Sequence, residues 1–373
     1  MRIPRAVWGV AMFALCFGPE VRAQADATQA PTLTVQTNLV EIPALVRTKN
    51  GAVVFAMGPD DFPLTDNGVA QKVTVDSESG SQPLAMAIVV ETGGAGARHL
   101  HDYGRLAAQL ENLTTNIEHR MAVISFDSKP ELLQSFTEHA SASAYQLANL
   151  QAGDNGAAIL DALAFAIGQL REEPPRFRRA ILLLSETVDQ SSTTSLGDAF
   201  RLIGTTNTAV YTFGFSSARD AVKHENSKFD RPTEPGPAHG CFSRNGADEE
   251  YAGHYGKQVL DCISDLAPPL RFGTMAYLAA HEGLRHNTSQ SIAQLTGGMY
   301  RPFKNGKDLE ADLSLLAKDL PNYYILSFRP SELTPGPHAL SLEMKDRPNL
   351  SLIYRTGYWL DRDATVGSGP PGK

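Results

Sequence analysis

Apolar and polar residues change places along this chain in two distinct rhythms, and the switch between them divides it. From Leu33 to Val75 the runs are short and alternating, as in Leu39-Val40-Glu41-Ile42 and Ala44-Leu45-Val46. Lys49-Asn50-Gly51 and Asp66-Asn67-Gly68 interrupt them, and Asn-Gly is the strongest short hairpin signal, because both central residues of the tight turn need positive φ. Residues 33–80 therefore read as a small β segment. After Pro83 the run Leu84–Val90 is almost unbroken, as in a strand covered on both faces. Met121–Phe126, Ala180–Leu184 and Ala209–Phe213 repeat that pattern, with Leu132–Phe136 as a short edge strand.

Between these strands the period lengthens. Leu106, Leu110, Leu113 and Ile117 fall on one helical stripe over Arg105–Ile117, and Leu160, Leu163, Ile167 and Leu170 on another over Ile159–Leu170. Ser195, with Asp198 after it, resembles a capping box before Leu196, Phe200 and Ile203. Alternating buried strands and amphipathic helices predict a doubly wound, mostly parallel α/β sheet. From 216 to 285 the periodicity lapses amid prolines, which marks an insertion, with a helical stretch over Lys257–Leu266. The pattern resumes with a helix over Ser289–Leu295, the turn Gly297-Gly298, the stripe Leu309, Leu313, Leu316 and Leu320, and the strand Tyr323–Phe328, which is expected to close the α/β unit over residues 81–329. A hairpin of His338–Met344 with Leu350–Tyr358 is expected within residues 330–362, before a Gly/Pro/Ser tail at 363–373.

The first 23 residues change the picture of where the chain works. Arg2 and Arg5 precede the apolar run Ala6–Phe17 and the small-residue pattern Val21-Arg22-Ala23, which reads as a cleaved signal peptide followed by a flexible leader at 24–32. The run is too short to span a bilayer, and no later segment is long and apolar enough. Phe13-Ala14-Leu15 before Cys16 lacks the upstream leucine of a lipidation site. The expectation is a secreted or periplasmic protein without a transmembrane helix. Net charge is −8, from 33 basic and 41 acidic residues without long runs, which argues against nucleic acid or anionic lipid as partner.

Beyond the signal only Cys241 and Cys262 remain, and a pair in an oxidising compartment reads first as a disulfide. A zinc site helped by His239 or His254 is the alternative. Tyr251, His254, Tyr255, Arg244 and Asp248-Glu249-Glu250 make the insertion either a solvated loop or a recognition surface. Three enzyme patterns fail on spacing. Thr92-Gly93-Gly94-Ala95-Gly96-Ala97 has His99 where a dinucleotide loop needs its third glycine. His281 and His286 are five apart, about 140° out of phase on a helix, where a zinc helix needs four. No Gly-x-Ser-x-Gly elbow occurs.

Six pieces in order carry a family resemblance: Asp60-Asp61-Phe62 with Asp66-Asn67-Gly68, Leu84–Val90, Leu160-Asp161-Ala162-Leu163, Thr296-Gly297-Gly298, Asn322-Tyr323-Tyr324-Ile325-Leu326 and Arg355-Thr356-Gly357-Tyr358-Trp359. Together the chain resembles VWFA-related proteins of the acidobacterial type. The resemblance implies a von Willebrand factor A fold whose top face carries a metal-ion-dependent adhesion site. There an Asp-x-Ser-x-Ser motif, a threonine and a distal aspartate hold a hard cation that a partner's acidic group completes. This chain has Glu91, Gly93 and Ala95 in the first motif, Ala157 at the threonine and Glu186 at the aspartate. Only Glu91 and Glu186 remain to hold Mg2+ or Ca2+, so no resident cofactor is expected. The function expected is protein or surface-ligand binding without catalysis. The alternative is an exported metal-dependent enzyme using the insertion's His, Cys and acidic residues.

Overall fold

The computed structural model describes residues 39–76, 82–113, 117–215, 286–344, 347 and 349–361, without the side chains of 107, 108, 111 and 112. The expectations for the signal peptide, Cys16, the leader, the tail and the insertion 216–285 with Cys241, Cys262 and His281 all lie outside the described residues.

Six strands form the central sheet: β5 (Leu84–Glu91), β6 (His119–Phe126), β7 (Pro130–Thr137), β8 (Arg178–Glu186), β9 (Ala209–Phe215) and β10 (Tyr300–Pro302), in the spatial order β10-β9-β8-β5-β6-β7. All neighbours run parallel except β7, which turns back antiparallel to β6 at the edge. Counted along the chain, this is the 3-2-1-4-5-6 order of a doubly wound sheet, which places a crevice beyond the carboxyl ends of β5 and β8, where the winding reverses. Alternate residues of β5 explain why both sheet faces are covered. Leu84, Met86, Ile88 and Val90 pack against α1 (Leu100–Leu113), α2 (Ala140–Ala148) and the later α6 (Gly306–Asp319). Ala85, Ala87 and Val89 pack against α3 (Ile159–Arg171), α4 (Leu196–Gly204) and α5 (Thr288–Thr296). The capping reading at Ser195 holds in part: its Oγ accepts the Asp198 amide at 3.1 Å, and the Asp198 carboxylate takes the Ser195 hydroxyl, not its backbone N–H.

The remaining strands are β1 (Val40–Thr48), β2 (Leu64–Asp66), β3 (Val69–Gln71), β4 (Thr74–Asp76), β11 (Tyr324–Phe328), β12 (Gly336–Leu342), β13 (Leu350–Tyr354) and β14 (Gly357–Leu360). They form two four-stranded sheets, β13-β1-β11-β4 and β14-β12-β2-β3. Ile42, Ala44, Phe62, Leu64, Leu326, Phe328, Leu340 and Tyr358 fill one core between them. The Asn-Gly turn is as read: Asn67 at φ 48° and Gly68 at φ 82° join β2 to β3.

Two expectations are corrected here. The strand at Tyr324–Phe328 does not close the α/β sheet; it pairs antiparallel with β1 and β4, and β10 is the last strand of the central sheet. The C-terminal hairpin of His338–Met344 with Leu350–Tyr358 forms only in part: His338 and Ala339 pair with Tyr358 and Gly357, and Leu350–Tyr354 does not join them. β12 pairs with β2 and β14, whereas β13 pairs with β1 in the other sheet. The N- and C-terminal β pieces are thus one sandwich, because each alone lacks a second apolar face to cover its own.

Candidate functional site

Glu91 ends β5 at the winding reversal and is fully buried (0% exposed). Its Oε1 accepts the Gly96 amide at 2.9 Å, and its Oε2 accepts the Glu186 amide at 2.7 Å. The carboxylate therefore closes its own loop and fastens that loop to the end of β8. Glu186, also buried, accepts Gln190 Nε2 on Oε1 at 2.5 Å, and its backbone carbonyl accepts from Ser289 at the start of α5. The two acidic residues do converge, but through the side chain of one and the backbone of the other.

The first of the two positions where the adhesion motif carries serine, Gly93, is closed. A Cβ on Gly93 would lie 2.3 Å from the Gly156 carbonyl oxygen and 2.7 Å from Asp127 Cβ, so the loop before α3 occupies the space a serine would need. Ala95 precedes the short 3-10 turn Gly96–His99. At the threonine position, the Ala157 amide donates to Ser191 Oγ at 2.8 Å. We expect Gly93→Ser, which restores a family side chain, to cost about 1–3 kcal/mol through overpacking and to add no metal affinity. Chemical denaturation with a parallel cation titration checks both halves.

Carboxylates bonded to loop amides recur around the rim. Asp154 accepts the amides of Ser128 and Gly156 and the Ser128 hydroxyl; the hydroxyl bond, then the Gly156 amide, hold its carboxyl below the usual aspartate value. Asp127 accepts the Asp154 amide at 3.0 Å. At the start of α3, the Leu160 amide is capped by Asp189 Oδ1 and Ser192 Oγ, and burial pushes the Asp189 carboxyl upward against those bonds. Asp161 accepts from Thr193 and Thr194; burial raises its pKa, and those bonds outweigh it and leave it lowered. Each loop of the top face is thus tied to the next by a carboxylate or hydroxyl bonded to backbone N–H. Nothing in the sequence pointed to these ties, since Asp127, Asp154 and Asp189 look like ordinary loop acids.

Among the described residues no group of three or more His, Cys, Asp or Glu side chains is placed to hold a metal ion. Each Glu91 oxygen accepts a backbone amide within 2.9 Å inside the fold. The ends that flank residues 216–285 also lie at this edge: β9 stops at Phe215 beside Glu186, and the Ser289 amide donates to Thr187 O at 3.3 Å.

No family model and no curated protein matches the chain. Solved structures that it is similar to include the conserved hypothetical protein BatB from Bacteroides thetaiotaomicron, at 13% identity and TM-score 0.35 over 64% of this chain and 98% of that one. A second is the VWA domain described as SpRpn10, at 13% identity and TM-score 0.29 over 40% and 83%. A third is a mutant of the PilB minor pilin from Streptococcus sanguinis, at 12% identity and TM-score 0.37 over 75% and 78%. Strand order and direction carry the fold, not closeness of superposition: the described residues hold a doubly wound, mostly parallel α/β sheet flanked by small antiparallel sheets. No helix among the described residues is long and apolar enough to cross a membrane.

Proposed function

We propose that the chain is an exported, non-catalytic interaction module whose top face, at the carboxyl ends of β5 and β8, binds a protein or surface ligand without a bridging metal ion. The observation that carries this reading is the capture of both Glu91 oxygens by backbone amides, one from its own loop at Gly96 and one from the end of β8 at Glu186. A carboxylate so held does the work of the ion: it fixes the loops and leaves their outer surface as the contact. The crevice at a reversal of winding is where such sheets present ligands, whichever groups line it.

The test has two arms. Calorimetric titration of the chain from residue 24 with Mg2+, Ca2+ and Mn2+ is expected to show no binding, and Glu91→Ala to cost about 2–4 kcal/mol by orphaning two buried amides. Micromolar binding that Glu91→Ala abolishes, with stability unchanged, would overturn the metal-free reading. In the second arm a photo-crosslinker replaces the exposed Lys129 at the top face, or Lys49 on the sandwich. A partner captured at position 129 in EDTA, and not at 49, supports the top-face interaction; capture that needs a divalent ion, or is equal at both, sinks it.

A further inference from the structure

At the opposite edge of the central sheet, where β8 and β9 begin, a crevice of about 350 Å³ separates the α/β unit from the sandwich. One wall is the outer face of β1. Val40, Ile42 and Ala44 point into the sandwich core, so Glu41 and Pro43 line the crevice. Arg178 and Arg179, at the start of β8, line the other side, with Gln82 and Asn207 beside them.

The charges across this space do not meet. The Glu41 side chain has no hydrogen bond or ion pair among the described residues, although it is removed from most of its water. Burial raises its pKa, and the more distant charges of Arg355 and Arg179 only partly offset this. Arg178 gives Nη2 to the Leu320 carbonyl at 3.1 Å, and Arg179 gives Nε and Nη2 to the carbonyls of Leu170 and Glu173. Neither guanidinium pairs with a carboxylate among the described residues. A partly desolvated acid and two arginines without acids, kept apart by a cavity, are an arrangement that folding alone does not reward, because unpaired charge is costly away from water.

We propose that this crevice binds a small zwitterion, an α-amino acid or a dipeptide, with its ammonium on Glu41 and its carboxylate on Arg179. A simple cation would leave Arg179 without a counter-charge, and a simple anion would meet Glu41. The volume lies at the lower end of ligand sites, roughly 300–1,000 Å³, which suits one or two residues and excludes a folded partner. Planar guanidinium forks match a carboxylate in two-point geometry. This site is separate from the top face and does not rest on the reading given above for it.

The experiment is calorimetry of the chain from residue 24 against free L-amino acids and dipeptides, each compared with its N-acetyl and C-amide form. At least one free zwitterion is expected to bind, and blocking either terminus to weaken it about tenfold or more, the loss of a charged hydrogen bond. Glu41→Gln is expected to keep the thermal midpoint and lose the same factor. Failure of every zwitterion at millimolar concentration, equal binding of the blocked forms, or full affinity in Glu41→Gln would each overturn the proposal. If Glu41→Gln does not fold, the blocked series on the unmodified chain decides alone.

Discussion

Arg355→Ala is expected to lower the stability of the chain by on the order of 3–5 kcal/mol, measured by urea denaturation at neutral pH. Arg355 is 3% exposed, and its guanidinium holds four acceptors. Nε donates to Gly357 O at 2.9 Å, Nη2 to Gly204 O at 2.7 Å, and Nη1 to Asn207 Oδ1 at 3.0 Å and Glu41 O at 3.3 Å. One side chain thereby ties β14 and β1 of the sandwich to the turn between α4 and β9. Burial brings its pKa down to about 10, which leaves it charged at neutral pH. Truncation strands buried carbonyls in both halves at once, each at a cost of about 1–3 kcal/mol unless water reaches it. Arg355→Lys keeps the charge but not the planar fork, so it should recover only part of the loss. A cost below about 1 kcal/mol for the alanine variant would mean that water replaces the guanidinium, and would remove Arg355 as the clasp.

That clasp explains why the Arg355-Thr356-Gly357-Tyr358-Trp359 segment stood out in the sequence. Thr356 Oγ1 donates to Gln294 O at 3.1 Å, Tyr358 enters the sandwich core, and Trp359 meets Phe200 of α4 edge-on at 5.9 Å. The central strands were legible because a strand buried on both faces must be apolar throughout. The start of α1 was not: Leu100 and Tyr103 extend the stripe of Leu106 and Leu110 into the same core, but His101-Asp102 and the phenol of Tyr103 read as polar in the sequence. Helix α2 was invisible for a related reason: it buries only Ser143 and Leu147, too little to make a period. Alternation in β11, β12 and β13 says which face of each strand is apolar, and nothing of which strand lies beside it. Their partners β1 and β2 lie at the other end of the chain, so adjacency in sequence found only the pairing of β12 with Gly357-Tyr358 and misplaced Leu350–Tyr354. The site divides in the same way. The resemblance implied which positions to look at, but the turning of Glu91 inward depends on the path of its own loop and on the end of β8.

The second large effect concerns a contact equally hidden from the sequence, between Asp66 of β2, His338 of β12 and Tyr358 of β14. His338 Nδ1 lies 2.9 Å from Asp66 Oδ1, its Nε2 lies 2.7 Å from the Thr334 carbonyl, and Tyr358 donates to Asp66 Oδ2 at 2.6 Å. Both ring nitrogens face acceptors, an arrangement that only an imidazolium satisfies in full. Burial alone would lower the His338 pKa; the hydrogen bond and charge of Asp66, with the Thr334 carbonyl and the Glu332 charge, outweigh it and raise it. Burial and the Asp66 charge keep the Tyr358 phenol protonated. Asp66→Ala is expected to cost on the order of 3 kcal/mol, the low end for breaking a buried pair, because His338 can then shed its proton. The pH dependence follows from the raised value. The folded chain binds the proton more tightly than the unfolded one, so the contribution is complete below the ordinary histidine pKa of about 6.5 and fades as pH rises through the folded value. The stability difference between the unmodified chain and His338→Gln should therefore shrink from pH 6 toward pH 9, as followed by denaturant midpoints. A difference that is flat, or that grows with pH, would mean that His338 sits in the fold as a neutral ring and that Asp66 is held by Tyr358 alone.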